Sequence, residues 1–294
     1  IEAFTQERRE HFLTGMMKVN FLKRLESSVH SFQVSMDRTI GKIDALLKRI
    51  EEYGNRPDAQ VKLSFDEAMP NDTEQDDSGE EEQDWTVGKK EYHLADLRLD
   101  EWKEALRLDR DQLNELFLLA RGVDAKHDAK LFELKRIIMD KVIQPFNGAN
   151  KKVLVFTAFA DTAHYIYDSL QDFARHEVKL NMALVTGSGT RTQFGANDFN
   201  SILTNFSPTS KERNKHRGMP TEGEIDILIA SDCISEGQNL QDCDTVINYD
   251  IHWNPVRIIQ RFGRIDRLGS TNARIRLVNF WPTEDLDGYI NLKH

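Results

Sequence analysis

A chain of 294 residues, 39% hydrophobic and 30% charged, has the size of one large or two ordinary soluble domains. Its net charge of −10 argues at first sight against a polyanion partner. No apolar run approaches the length that spans a bilayer, so no membrane partner is expected. Cys233 and Cys243, the only cysteines, are too few for a four-thiolate zinc site and suit a reduced, cytoplasmic setting. No secretory signal opens the chain, and it begins with Ile1 rather than Met, so it reads as a piece of something longer.

The first segment, 1–54, is patterned as helix. Leu22, Val29, Met36, Ile43 and Ile50 recur every seven residues. Leu25, Phe32 and Leu46 fill the companion core position, with Thr39 as its polar exception. Gly54 suits a helix stop. A seam this short fits a helix packing on its own chain better than an intermolecular coiled coil. Residues 55–92 follow as an acidic linker, "FDEAMPNDTEQDDSGEEEQDW" at its centre. This stretch has too few apolar groups to offset its ordering entropy and is expected to be disordered. The charge excess is concentrated here. From Lys151 to Trp281 the chain holds 15 Lys and Arg against 15 Asp and Glu, so the global charge says little about that region's partners. Helical patterning returns over 93–149 and stops near Pro145.

From 150 to 294 the texture changes. "KKVLVFTAF" is a short apolar run rich in β-branched residues and predicts a buried strand. "ADTAHYIYDSLQDFA" has helical spacing, and "VKLNMALVTGSG" is a second strand ending in a turn. "NDFNSILTNFS" predicts a helix capped by Asn197 or Asp198. "EIDILIAS", "CDTVINYD" and "ARIRLVNFW" are further strands. Strands alternating with helices predict an α/β fold with a mainly parallel sheet, whose ligands sit at the carboxyl ends of the strands.

No phosphate loop of the GxxxxGK[ST] type is present, no G-x-S-x-G elbow and no HExxH, and the nine histidines are scattered. What stands out is "NPVRIIQRFGRIDRLGS". Arg257, Arg261, Arg264 and Arg267 are spaced four, three and three apart, which in a helix crowds them on one broad face. Such a face needs an anion, and guanidinium groups suit bidentate phosphate recognition.

The stretch "DILIASDCISEGQNLQDCDTVINYDIHWNPVRIIQRFGRIDRLGS" resembles motifs V, Va and VI of superfamily 2 helicases, nearest the Snf2-like branch, and "KVLVFTAF" resembles motif IV. The likeness covers about half the chain. Gln-Arg-x-Gly-Arg follows helicases at large rather than chromatin remodellers, which points to a bacterial-type Snf2-like motor. The resemblance implies the second of two RecA-like lobes. ATP and Mg2+ would be held mainly by the first lobe of the same polypeptide, which brings the phosphate loop. Arg264 and Arg267 would act as arginine fingers with Gln260 beside them. Gly237, Asn239 and Glu236 would touch nucleotide or couple it to the track. Thr157, Thr186 and Ser231 would contact the backbone of nucleic acid, with DNA favoured. The segment "FSPTSKERNKHRGMPTEGE" lies outside this pattern; its four cations suit either a phosphate contact or a solvated loop. The fragment alone would not hydrolyse ATP. A second reading stays open, in which the lobe is a non-catalytic nucleic-acid- or protein-binding module.

Overall fold

The computed structural model describes residues 6–54, 62–64, 91–93, 98–234, 237–252, 254–267 and 269–282. Two long helices open it, α1 (Gln6–Ser27) and α2 (Val29–Gly54). The heptad pattern predicts one helix through this region, and the structure divides it at Ser28. There the hydroxyl leaves the helical pattern and accepts the backbone N–H of Ser31 at 3.0 Å, capping α2. The seam itself faces inward and packs within the chain. Phe32 and Met36 meet Leu113, Phe117 and Ala120 of α3 (Leu99–Arg121), and Leu46 and Ile50 meet Leu99, Trp102 and Leu106.

The central part of the expected acidic linker, 65–90, lies outside the described residues. On either side of it, β1 (Lys62–Ser64) and β2 (Glu91–His93) pair as a short antiparallel ribbon, so the expectation of linker throughout 55–92 is corrected at those positions.

After α4 (Ala129–Ile143) the chain builds a six-stranded sheet. Its strands are β3 (Val153–Phe156), β4 (Met182–Thr186), β5 (Gly189–Thr192), β6 (Ile227–Ala230), β7 (Thr245–Asn248) and β8 (Arg276–Asn279). Their order is β5-β4-β6-β3-β7-β8, parallel except for the β4–β5 hairpin. The helices are α5 (Ala160–Asp172), α6 (Phe199–Phe206) and α7 (Pro255–Phe262). Alternation along each strand divides two cores. Val153, Val155, Leu184 and Ile229 face α4 and α5, while Leu154, Phe156, Val185 and Leu228 face α6 and the loop that ends at Leu240. Both faces are buried, as a parallel sheet of continuous apolar strands requires. Asp198 caps α6 by accepting Ser201 N–H at 3.0 Å. This is an α/β lobe with a mainly parallel sheet, preceded by a helical region, as the alternating strand and helix pattern predicts.

At the amino edge of the sheet Lys141 and Asp244 form a buried ion pair. Asn147 donates to the same carboxylate at 2.8 Å. Both charges of this pair are thus compensated inside the fold.

Candidate functional site

The carboxyl edge is built differently. In sheet order, Thr186 ends β4, Ser231 follows β6, Thr157 follows β3 and Asp250 lies just past β7. All four side chains are buried. Thr186 Oγ1 bonds Ser188 Oγ at 2.9 Å and donates to Gly189 O at 3.0 Å. Ser231 Oγ donates to Cys233 Sγ at 3.4 Å. Thr157 donates its hydroxyl to Asp250 Oδ2. That carboxylate also accepts Ser27 Oγ–H at 2.6 Å on Oδ2 and Ala158 N–H at 2.8 Å on Oδ1. The strand-end hydroxyls predicted for backbone contacts are thus brought into one row. Thr157 among them is covered by the α1–α2 junction. Ser27 and Ser28 both bond Thr162 Oγ1 at 2.8 Å, and Arg24 reaches Asp161 at 3.2 Å. Beside them Glu26 meets Lys130 at 3.4 Å and faces Asp250. Burial pushes the Glu26 carboxyl up to about 7, with Asp250 adding to the rise and Lys130 opposing it.

Helix α7 corrects the expectation of one broad arginine face. It begins where Asn254 accepts Val256 N–H at 3.0 Å with Pro255 in its first turn, and it ends at Phe262 with Gly263 as cap. Arg257 and Arg261 point inward. Val256 and Ile259 point outward, 52% and 68% exposed. Arg264 and Arg267 lie beyond the helix, in the turn that follows.

The reason for this inversion is an anion inside the chain. Arg261 is fully buried and grips Asp232 with a fork, Nε to Oδ1 and Nη2 to Oδ2, both 2.6 Å. Its Nη1 donates to Asn248 Oδ1 at 3.1 Å and to Asp250 O at 3.2 Å. The guanidinium lies 5.3 Å from the centre of the Phe156 ring. Two charges taken out of water are tolerated when the geometry is bidentate and the remaining donors are satisfied. Arg257 is buried as well and donates to Gln260 Oε1 at 3.3 Å. This Asp232–Arg261 anchor escaped the sequence reading, and its residues stand 29 positions apart.

The segment after α7 is stitched to the loop 237–243. Leu240 N–H donates to Arg264 O at 3.0 Å. Arg264 returns Nη1 to Gln238 O at 3.4 Å and Nε to Gln260 O at 3.1 Å. Gly237 has φ +76°, a left-handed conformation that favours glycine. Asn239 Oδ1 is buried and accepts no hydrogen bond among the described residues. Gln260 and Arg264 are partly exposed. Arg267 is exposed, and its side chain makes no ion pair among the described residues. Glu236 lies outside the described residues. Gln260, Gly237, Asn239, Arg264 and Arg267 thus lie on α7 or on the two segments stitched together beside it. Thr157, Thr186 and Ser231 stand along the strand ends.

A mainly parallel sheet closed by helices thus has an arginine-rich helix and a glycine-turned loop at its carboxyl edge, where ligands of such sheets sit. Residues 130–269 match the model of the helicase conserved C-terminal domain. The chain is 57% identical over 47 residues to the uncharacterized ATP-dependent helicase YqhH of Bacillus subtilis (16% of this chain, 8% of the relative). It is 29% identical over 170 residues to the probable ATP-dependent RNA helicase ddx51 of Dictyostelium discoideum (57% and 26%). The CHD3-type chromatin-remodeling factor PICKLE of Arabidopsis thaliana is 29% identical over 152 residues (50% and 9%). The chain therefore spans about a quarter or less of the length of these relatives.

Proposed function

We propose that this chain is the second motor lobe of an ATP-dependent nucleic-acid translocase of the Snf2-like kind. In this reading a first RecA-like lobe of the same polypeptide supplies the phosphate loop and the carboxylates that hold Mg2+. Arg264 and Arg267 are the arginine fingers. They meet the γ-phosphate of ATP as charge develops on it, and Gln260 stands beside them. The observation that carries the reading is the contrast within one short segment. Arg261 is neutralised inside the lobe by Asp232, whereas Arg267, six residues on, is exposed without an ion-pair partner among the described residues. A guanidinium held at the surface on so firm a base suits an anion brought from outside. The outward Val256 and Ile259 of α7 fit a face covered by the first lobe. The buried, unsatisfied Asn239 Oδ1 fits a hydrogen-bond donor on the nucleotide or on that lobe.

Thr186 and Ser231 belong in this reading beside the nucleic-acid track along the strand ends, with Gly237 permitting close approach and Glu236 coupling track to nucleotide, whereas Thr157, buried under the α1–α2 junction on Asp250, is withdrawn as a backbone contact. DNA is the favoured partner. An arginine finger contributes about 10³–10⁵ in rate, roughly 4–7 kcal/mol of barrier. The test is turnover of ATP with Mg2+ and DNA. The isolated 294-residue chain is expected to be inactive, and the polypeptide that also contains the first lobe is expected to be DNA-stimulated. Magnesium-dependent turnover by the isolated chain would place the active site elsewhere.

A further inference from the structure

The segment between α6 and β6 lies outside the helicase motifs and carries four cations, Lys211, Arg213, Lys215 and Arg217. The structure separates them. Lys215 is 2.7 Å from Glu212 and so is neutralised locally. Arg213 ties the segment's two ends together, donating to Asn205 Oδ1 at 3.3 Å and to Gly223 O at 2.7 Å. Arg217 is exposed.

Lys211 is placed against the loop that carries Gly237. Its Nζ donates to Gln238 Oε1 at 2.9 Å. The start of the segment is fixed to the same loop, because Asp242 accepts the N–H groups of Thr209 at 2.6 Å and of Ser210 at 2.9 Å. Gln238 therefore receives two cationic donors, Lys211 on its side chain and Arg264 on its backbone oxygen at 3.4 Å. Among the described residues no carboxylate lies within 4.0 Å of Lys211 Nζ. Its hydrogen-bond partner there is a neutral amide. A half-desolvated ammonium in that position lacks charge compensation, and a phosphate oxygen supplies it.

We infer that Lys211 is a phosphate-binding residue, reached through the segment 207–224 and set beside Arg264 by their shared contact with Gln238. The inference rests on the motor-lobe reading above. The phosphate is either a phosphodiester of the nucleic-acid track or a phosphate of the nucleotide. Burial also holds the Lys211 ammonium below the usual lysine range, which agrees with a site that gains from an added anion.

The experiment uses the 294-residue chain as wild type, Lys211→Gln and Lys211→Arg, with Lys215→Gln as the control for a cation that is already paired. Affinity for a fluorescein-labelled DNA duplex is measured across a salt series, and affinity for a fluorescent ATP analogue is measured in parallel. Lys211→Gln is expected to weaken one of the two about 3- to 10-fold at low salt, with Lys211→Arg largely restoring it and an unchanged melting temperature. Loss on the DNA arm, with the slope of log K against log salt reduced by about one, assigns a phosphodiester. Loss on the nucleotide arm alone assigns the nucleotide. If the wild type binds either ligand and Lys211→Gln matches it on both arms, the assignment of Lys211 is overturned while the lobe reading stands. If the wild type binds neither, the assignment of Lys211 is overturned, and the lobe reading is decided separately by turnover of the polypeptide that contains both lobes.

Discussion

Helix α7 and the turn that follows it carry the same residue type to opposite ends. Within the helix, Arg261 is buried on Asp232, Asn248 and Asp250, and the aliphatic Val256 and Ile259 are left outside. Three and six residues later, Arg264 and Arg267 leave the helix, the first partly exposed and the second exposed. The difference shows that an arginine cluster is not one feature. What each guanidinium does depends on whether a carboxylate of the same fold reaches it. The amino edge of the sheet makes the same point, since Lys141 is closed off by Asp244 there.

The largest expected effect lies on the buried side. Arg261→Ala strands the Asp232 carboxylate without its partner and is expected to cost about 3–5 kcal/mol in urea denaturation. Arg261→Lys is expected to recover little of this, since an ammonium cannot form the fork. A loss under about 1 kcal/mol would mean that water already reaches the pair.

The next effect concerns Glu26, a buried acid whose burial is only partly compensated by Lys130. Its carboxyl is raised to about 7 from a usual value of 4.5. Between those values the unfolded chain ionises while the folded chain keeps the proton. Folding stability contributed by this group therefore falls as pH rises through that window and is level above it, by at most about 3 kcal/mol. Glu26→Gln is expected to match wild type near the lower end and to be more stable above the upper end. Equal pH dependence in the two proteins would show that Lys130 compensates the charge in full.

Gly237 gives a smaller effect. Its φ of +76° strains any other residue, yet a Cβ there meets nothing within 4 Å. Gly237→Ala is expected to cost about 1 kcal/mol from backbone strain alone. The smallest effect is Arg267→Ala, an exposed side chain without a core role, which is expected to change stability by less than about 0.5 kcal/mol in the same denaturation experiment.

Much of the lobe was readable from the chain. The β-branched runs, the helices between them and the cap at Asp198 follow local rules, and each found its element. The break at Ser28 did not, because the seven-residue repeat runs straight through it and the capping hydroxyl looks like any polar helix position. The inverted helix was hidden for a longer-range reason. Arginines at helical spacing imply a common face only if nothing pulls on them. Asp232, which pulls Arg261 inward, sits in a different loop, 29 residues earlier. The packing of Ser27 on Asp250 spans 223 residues and had no local signal at all. Lys211 belongs to the same class, since only the folded loop brings it to Gln238.

The central claim is that function sits on the outward arginines and structure on the inward ones. The most direct measurement is steady-state ATP hydrolysis at saturating DNA by the polypeptide that contains both lobes, comparing wild type with Arg267→Ala and recording melting temperature on the same samples. The predicted result is a fall in turnover of about 10³-fold or more with an unchanged melting temperature. Wild-type turnover by Arg267→Ala would contradict the finger assignment and favour a binding module in place of a motor lobe.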